Sequence, residues 1–209
     1  MTDDDLELSV AWQQHLGRSD AATAWFESVL ERTRRPGRHY HGTRHVRWVI
    51  RHVTELADHA EDLGAVVAAG FFHDVVYDPT RTDNERASGQ LAGDALAELG
   101  WDAGRRRHVV EMIEATAAHD VDGADPDTSV LLAADLAVLA AEPTRYGDYV
   151  TAVRREYAHL TDADWRSGRC AVLRGLLGRV HLFAPTLGLH TWEDRARANM
   201  TAELAALGG

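Results

Sequence analysis

Two stretches of this chain are apolar nearly all the way round a helix, and they constrain its fold more than any other feature. The first is residues 63–77, LGAVVAAGFFHDVVY, and the second is residues 129–141. A helix that is apolar on every side belongs inside a protein, where other helices cover it. We therefore expect residues 63–77 to form a buried central helix.

The rest of the chain also predicts helices, because alanine, leucine, arginine and glutamate dominate it and alternating β-branched runs are missing. The expected helices cover roughly residues 6–16, 20–34, 43–59, 63–77, 84–99, 105–119, 129–141, 146–160, 162–180 and 191–207. No repeat or long flexible linker separates them. The sequence thus predicts one compact all-α domain over residues 1–209, with the N- and C-terminal helices as packing additions.

Composition excludes several classes of function. The 209 residues carry a formal net charge of −11, which disfavours binding to nucleic acid polymers and anionic membranes. All 22 basic residues are arginine, so Schiff-base and P-loop lysine chemistry is excluded. Cys170 is the only cysteine, which rules out internal disulfides and cysteine zinc clusters. With no secretory signal and no apolar run near the ~20 residues that span a bilayer, we expect a cytoplasmic protein.

Each apolar stretch carries one carboxylate, Asp74 in the first and Asp135 in the second. Burying an unpaired carboxylate costs several kcal/mol, and neither stretch offers an arginine nearby. A metal ion is the simplest cation that could neutralise both carboxylates. His73 precedes Asp74, and His45 lies on the expected helix 43–59. Two imidazoles and two carboxylates suit one divalent transition metal (Mn, Fe, Co, Ni or Zn) better than Ca²⁺ or Mg²⁺.

The order of these four residues resembles the H…HD…D signature of the HD superfamily. Residues 40–45 (YHGTRH), 72–78 (FHDVVYD), 84–85 (NE) and 132–137 (LAADLA) resemble a bacterial branch described as predicted metal-dependent HD phosphohydrolases. The similarity covers about residues 39–157, which should therefore form the metal-binding core. The resemblance implies hydrolysis of a phosphoester or pyrophosphate bond in a small phosphorylated substrate, with nucleotides among the candidates.

Such a reaction needs a base that takes a proton from a metal-activated water. Asp78 is the first candidate, because it follows Asp74 by four residues and would lie one turn on along the same helical face. Glu85 is the second. The HDVVYD segment resembles the HDxxED segment of HD enzymes that hydrolyse (p)ppGpp, but Tyr77 stands where those have Glu.

A phosphorylated substrate also needs donors. Arg44 adjoins His45, and His41 precedes it by one turn; Arg154 lies on a polar helix soon after Asp135. The planar fork of arginine donates two parallel hydrogen bonds to phosphate. His119 is a further candidate for contact with the substrate. Arg38 and Arg81 are looser candidates.

Two other functions stay open. A di-iron oxygenase on the same helical scaffold would need His119 as a ligand and two irons per chain. A binding module without catalysis would keep the metal as a structural or ligand-sensing site. Tyr77 in place of Glu mildly favours this second function. The sequence leaves the oligomeric state open, with a homodimer as one option.

Overall fold

Helices account for the whole regular structure of the described chain. The computed structural model describes the backbone of residues 3–208 and the side chains of residues 5–208. Within that range there are ten α-helices, three short 3-10 helices and no β-strand, which confirms the predicted all-α fold. The α-helices are α1 (Asp3–His15), α2 (Asp20–Thr33), α3 (Thr43–Glu55), α4 (Leu63–Phe72), α5 (Asn84–Glu98), α6 (Ala103–Ala115), α7 (Pro126–Leu136), α8 (Pro143–Glu156), α9 (Asp162–Leu177) and α10 (His190–Ala206).

Helix α4 lies at the centre, as its apolar sequence predicts. Every residue from Ala65 to Phe72 is buried, and the helix packs against α1, α3, α5, α6 and α7. Its Phe71 meets Trp12 of α1 edge to face, with ring centroids 5.0 Å apart. Burying one such large side chain contributes about 1.5–3 kcal/mol. One buried hydrophobic cluster runs from Leu8 to Met200 and so joins the first helix to the last.

Side-chain caps fix where several helices begin. The N-cap residues Ser19, Asp62, Asp102, Asp125 and Thr161 each accept a hydrogen bond from a backbone amide in the first turn of the helix that follows. Each cap contributes about 1 kcal/mol by satisfying an amide that has no partner within the helix. Among the described residues, no helix combines the length and apolarity needed to cross a membrane.

The central helix is shorter than predicted. It ends at Phe72 instead of Tyr77, with His73 as its C-cap. Beyond it, the Ser88 hydroxyl of α5 bonds the amide and the carbonyl of Val76. The Asn84 side chain bonds the amide and the carbonyl of Asp78 in the same way. These side chains replace the helical partners of the backbone, so the chain leaves the helix early.

Other predicted boundaries also move. The stretch 129–141 forms α7, which begins at Pro126 and ends at Leu136, followed by a 3-10 helix at Ala137–Ala140. Helix α3 ends at Glu55, and α9 ends at Leu177.

Gly70 allows α4 to approach α3 closely, and we expect Gly70→Val to destabilise the fold. A Cβ at this position would lie 3.0 Å from Cδ1 of Ile50 and 3.4 Å from Cγ1 of Val49. Overpacking of this kind costs about 1–3 kcal/mol. The free energy of unfolding in urea measures it. Gly147→Val is the control, because a Cβ there meets nothing within 4 Å; equal stability of the two variants would contradict the close packing.

Candidate metal centre

Three helices bring the four predicted metal ligands together. His45 lies in the first turn of α3, His73 caps the end of α4 with Asp74 next to it, and Asp135 lies near the end of α7. His45 Nε2 is 3.0 Å from His73 Nε2 and 3.1 Å from Asp135 Oδ1. Asp74 Oδ2 is 3.2 Å from His73 Nε2 and 3.5 Å from His45 Nε2.

These separations match those between ligands of one metal ion. With bonds of about 2.1 Å, adjacent ligands lie about 3.4 Å apart in a tetrahedral site and about 3.0 Å apart in an octahedral one. His45, His73 and Asp135 each offer one ligand atom, and these atoms lie within 4.8 Å of one another. Asp74 Oδ2 contacts both imidazoles and completes the donor group. The donor set therefore fits one divalent transition metal.

The orientation of His73 also suits a metal ligand. Its Nδ1 lies 2.9 Å from the Gly70 carbonyl, which can only accept, so Nδ1 carries the proton and donates. In the neutral ring Nε2 then carries a lone pair and points at the other donors. A backbone carbonyl behind a ligating imidazole fixes the ring in this way in many metal sites.

The four ionisable side chains of the cluster have shifted pKa values. Burial opposes protonation of His73, but the carboxylates Asp74 and Asp135 outweigh it and raise its pKa to about 9. Burial lowers the pKa of His45. Burial likewise opposes ionisation of Asp74 and Asp135, yet the surrounding histidines hold the pKa of both well below the usual range. The two carboxylates are therefore anionic in neutral solution, as ligands must be.

His119 holds the far side of Asp135. Its Nε2 lies 2.7 Å from Asp135 Oδ2, while Oδ1 faces His45. Among residues 3–208, His119 is the one non-glycine residue with positive φ, at 49°. Arg179 donates to the carbonyls of Ala118 and His119 and so holds this turn. A left-handed backbone costs a non-glycine residue about 1–2 kcal/mol, which these contacts offset.

A buried carboxylate from α8 organises the segment before α3. Glu156 Oε1 accepts from the amides of Tyr40 (2.7 Å) and His41 (2.9 Å). Its Oε2 lies 2.6 Å from His41 Nδ1 and accepts from the Tyr77 hydroxyl at 2.9 Å. The His41 ring stacks on Tyr77, with centroids 4.2 Å apart, and lies 5.6 Å from the His45 ring. Glu156 thereby fixes His41 beside the ligand cluster.

Arg38 ties the two ligand-bearing segments together. Its guanidinium donates to the carbonyls of His41 (2.9 Å), Asp74 (2.6 Å) and Val75 (3.0 Å). It therefore holds the residues that follow α4 against the segment that precedes α3. These three backbone bonds give Arg38 a structural task and hold Asp74 in place.

The remaining predicted site residues lie in other surroundings. Asp78 was expected one helical turn after Asp74, and that is wrong because α4 ends at Phe72. Its exposed carboxylate accepts from the amide and hydroxyl of Thr80. Glu85 is partly buried in the first turn of α5, and Arg44 is exposed on α3. Arg154 bonds the carbonyls of Tyr157 and Leu160 and the carboxylate of Asp162, so it closes the end of α8.

Sequence reasoning missed Glu156 and Tyr40. Glu156 falls on a helical stripe with Tyr146 and Val153, spaced by seven and three residues, and that stripe is the buried side of α8. The spacing was a usable signal that this carboxylate faces the core. Tyr40 packs on His45 with ring centroids 4.7 Å apart, and its hydroxyl is buried without a partner among the described residues.

A cleft of about 400 Å³ opens beside the ligand cluster. Tyr40, His41, His119 and Asp135 are among the residues that line it. The side chains of Asp74 and Asp135 retain 15% and 13% of their surface exposure, whereas those of His45 and His73 retain 1%. The carboxylate side of the cluster is therefore the side that a small molecule could reach.

A second group of possible ligands has a structural explanation. His108, Asp125 and Asp127 each offer one ligand atom, and these atoms lie within 4.8 Å of one another. Asp127, however, accepts from the amides of Glu61 and Asp62, and Asp125 caps α7 through Thr128. These carboxylates already hold backbone groups at two helix starts.

Comparison of the chain with protein-family models, curated proteins and solved structures gave no match. The geometry of the site and the residue pattern therefore carry the functional argument.

Proposed function

We propose that this chain is a metal-dependent phosphohydrolase of the HD type, which cleaves a phosphoester or pyrophosphate bond in a small phosphorylated substrate, with nucleotides among the candidates. The observation that supports it is the convergence of His45, His73, Asp74 and Asp135 beside a cleft. This donor set suits Mn, Fe, Co, Ni or Zn. When bound, such a metal lowers the pKa of a water and polarises a phosphoryl oxygen.

Three side chains lie beside the donors. Burial opposes protonation of His41, but Asp74 and Glu156 outweigh it and raise its pKa. In the protonated ring Nδ1 donates to Glu156, and Nε2 can donate to a phosphoryl oxygen. His119 positions Asp135 through its 2.7 Å contact. Tyr40 lines the cleft and packs its ring on His45, while its hydroxyl is buried. An imidazole donor would thus replace the arginines in binding phosphate.

The test is turnover by metal-loaded protein. Protein stripped of metal and loaded with Mn²⁺, Co²⁺, Ni²⁺ or Zn²⁺ should cleave a generic phosphoester or a nucleotide from a panel. A chelator should abolish the activity and added metal should restore it. Asp94→Asn, an exposed carboxylate of α5, should retain full activity as the control. If no combination gives turnover and Asp74→Ala leaves the metal content unchanged, the proposal fails.

Two observations favour a second function, a ligand-binding module without catalysis. The expected base Asp78 is exposed and bonded to Thr80, and Tyr77 stands where related hydrolases have Glu. Such a module would show thermal stabilisation by phosphorylated ligands, because a ligand that binds only the folded state raises its stability. Stabilisation without turnover would favour the module, and stabilisation with turnover would favour the enzyme.

A further inference from the structure

The walls of the cleft beside the ligand cluster are mainly apolar. Its volume of about 400 Å³ lies within the ~300–1,000 Å³ of small-molecule sites. The end of α7, the 3-10 helix after it and helix α9 supply most of the wall. The larger aliphatic side chains are Leu136, Val138, Leu139, Val172 and Leu176. Because Asp135 and His119 line the same cleft, a molecule whose phosphate meets the ligand cluster would extend its other end along this wall.

The two arginines that line the cleft already donate hydrogen bonds to other parts of the protein. Of the residues that line it, two are arginines. Arg169 makes a bidentate pair with Glu203 (2.8 and 2.9 Å) and also donates to the Tyr149 hydroxyl. Arg179 donates to the carbonyls of Ala118 and His119. A second phosphate or a carboxylate in this cleft would therefore have to compete with these hydrogen bonds for either guanidinium, and charge burial without a partner is costly.

We infer that the cleft binds the organic part of the substrate and selects for one that is uncharged and largely apolar. The substrate class is then a phosphate monoester of a compact aromatic or branched alkyl alcohol. Nucleoside di- and triphosphates would be discriminated against, because both arginines of the cleft are already engaged in hydrogen bonds within the protein. This inference rests on the proposed hydrolase function and assigns its specificity.

Gly175 provides the test, because it lines the cleft from an exposed position on α9. A Cβ there meets nothing within 4 Å, so Gly175→Trp fits the helix and places its ring over the cleft. Gly168→Trp is the matched control, since Gly168 is on the same helix, is exposed, has the same open space and lies outside the cleft lining. Both substitutions remove a helical glycine, so effects on helix stability cancel.

The readout is the ratio of variant to wild-type kcat/KM for each substrate, which removes differences in intrinsic reactivity. Gly175→Trp should lower kcat/KM about tenfold or more for 1-naphthyl phosphate and less than twofold for methyl phosphate, since a large apolar group must share the space with the new ring. Gly168→Trp should change neither. Wild-type protein should prefer 1-naphthyl phosphate to ATP. If Gly175→Trp has the same ratio for 1-naphthyl phosphate as for methyl phosphate, or if the wild type prefers ATP, the inference is overturned.

Binding separates this inference from the hydrolase proposal. If no substrate is turned over and Asp74→Ala leaves the metal content unchanged, the hydrolase proposal fails. Calorimetry with 1-naphthylphosphonate, which has no ester bond to hydrolyse, then decides the role of the cleft. Binding to the metal-loaded wild type and to Gly168→Trp, weakened about tenfold or more by Gly175→Trp, would support the apolar cleft. No binding, or binding that Gly175→Trp leaves unchanged, would overturn it.

Discussion

Asp74→Asn should lower the affinity of the chain for a divalent transition metal about a thousandfold, which corresponds to about 4 kcal/mol. Asp74 Oδ2 lies 3.2 and 3.5 Å from the two imidazole Nε2 atoms, so it shares the point on which they converge. The amide keeps the shape of the side chain but removes its charge. The metal then loses one of two anionic ligands in a partly buried site, where charge is poorly screened.

Elemental analysis of dialysed protein measures this effect. The wild type and the Asp94→Asn control should hold close to one metal per chain, and Asp74→Asn should hold close to none. Helical circular dichroism should be equal in all three, because the core of the fold lies in the packing of α4. A full complement of metal in Asp74→Asn would contradict the assigned ligand set, and two irons per chain would favour the di-iron oxygenase.

The ligands could be predicted because burial makes lone charges conspicuous. Asp135 is the single charge of the stretch 129–141 and directly follows residues that are buried from Val130 to Ala134. Asp74 follows nine consecutive buried residues, 65–73. An acid in such a place needs a cation or donors, whichever way the helices pack. The sequence therefore pointed to the cluster without knowledge of the helix ends.

The surroundings of the ligands could not be predicted in the same way. They depend on contacts between residues that are far apart in the sequence, and the periodicity of apolar residues does not reveal such contacts. Val75 and Val76 look like a continued helix, but Ser88 binds the backbone of Val76 from α5. Placing Asp78 one turn beyond Asp74 required that helix to continue. Glu156 could be assigned to a buried stripe, yet its partner His41 is 115 residues away, and no local pattern joins them.

Glu156→Gln should destabilise the protein by about 3 kcal/mol, because the carboxylate is a buried acceptor of four hydrogen bonds. Its donors are the amides of Tyr40 and His41, the His41 imidazole and the Tyr77 hydroxyl. An amide has one oxygen, so its NH₂ group would face two of these donors. Unfolding in urea measures the loss, and Glu142→Gln, whose side chain is 75% exposed, should change it by less than about 0.5 kcal/mol.

The pH dependence identifies the carboxylate as the cause. Burial opposes ionisation, but the hydrogen bonds from His41 and the two amides lower the pKa of Glu156 below its usual value of 4.5. A depressed folded pKa gives stability that is fully present above the unfolded pKa and is lost as the pH falls through the folded one. The stability difference between wild type and Glu156→Gln should thus shrink below about pH 4.5. It should also fall above about pH 6.5, because burial lowers the pKa of His41 but Asp74 and Glu156 outweigh it and raise that pKa, and the contribution of Glu156 is lost in the variant. A difference that stays constant down to pH 3 would show that packing, not charge, holds this residue.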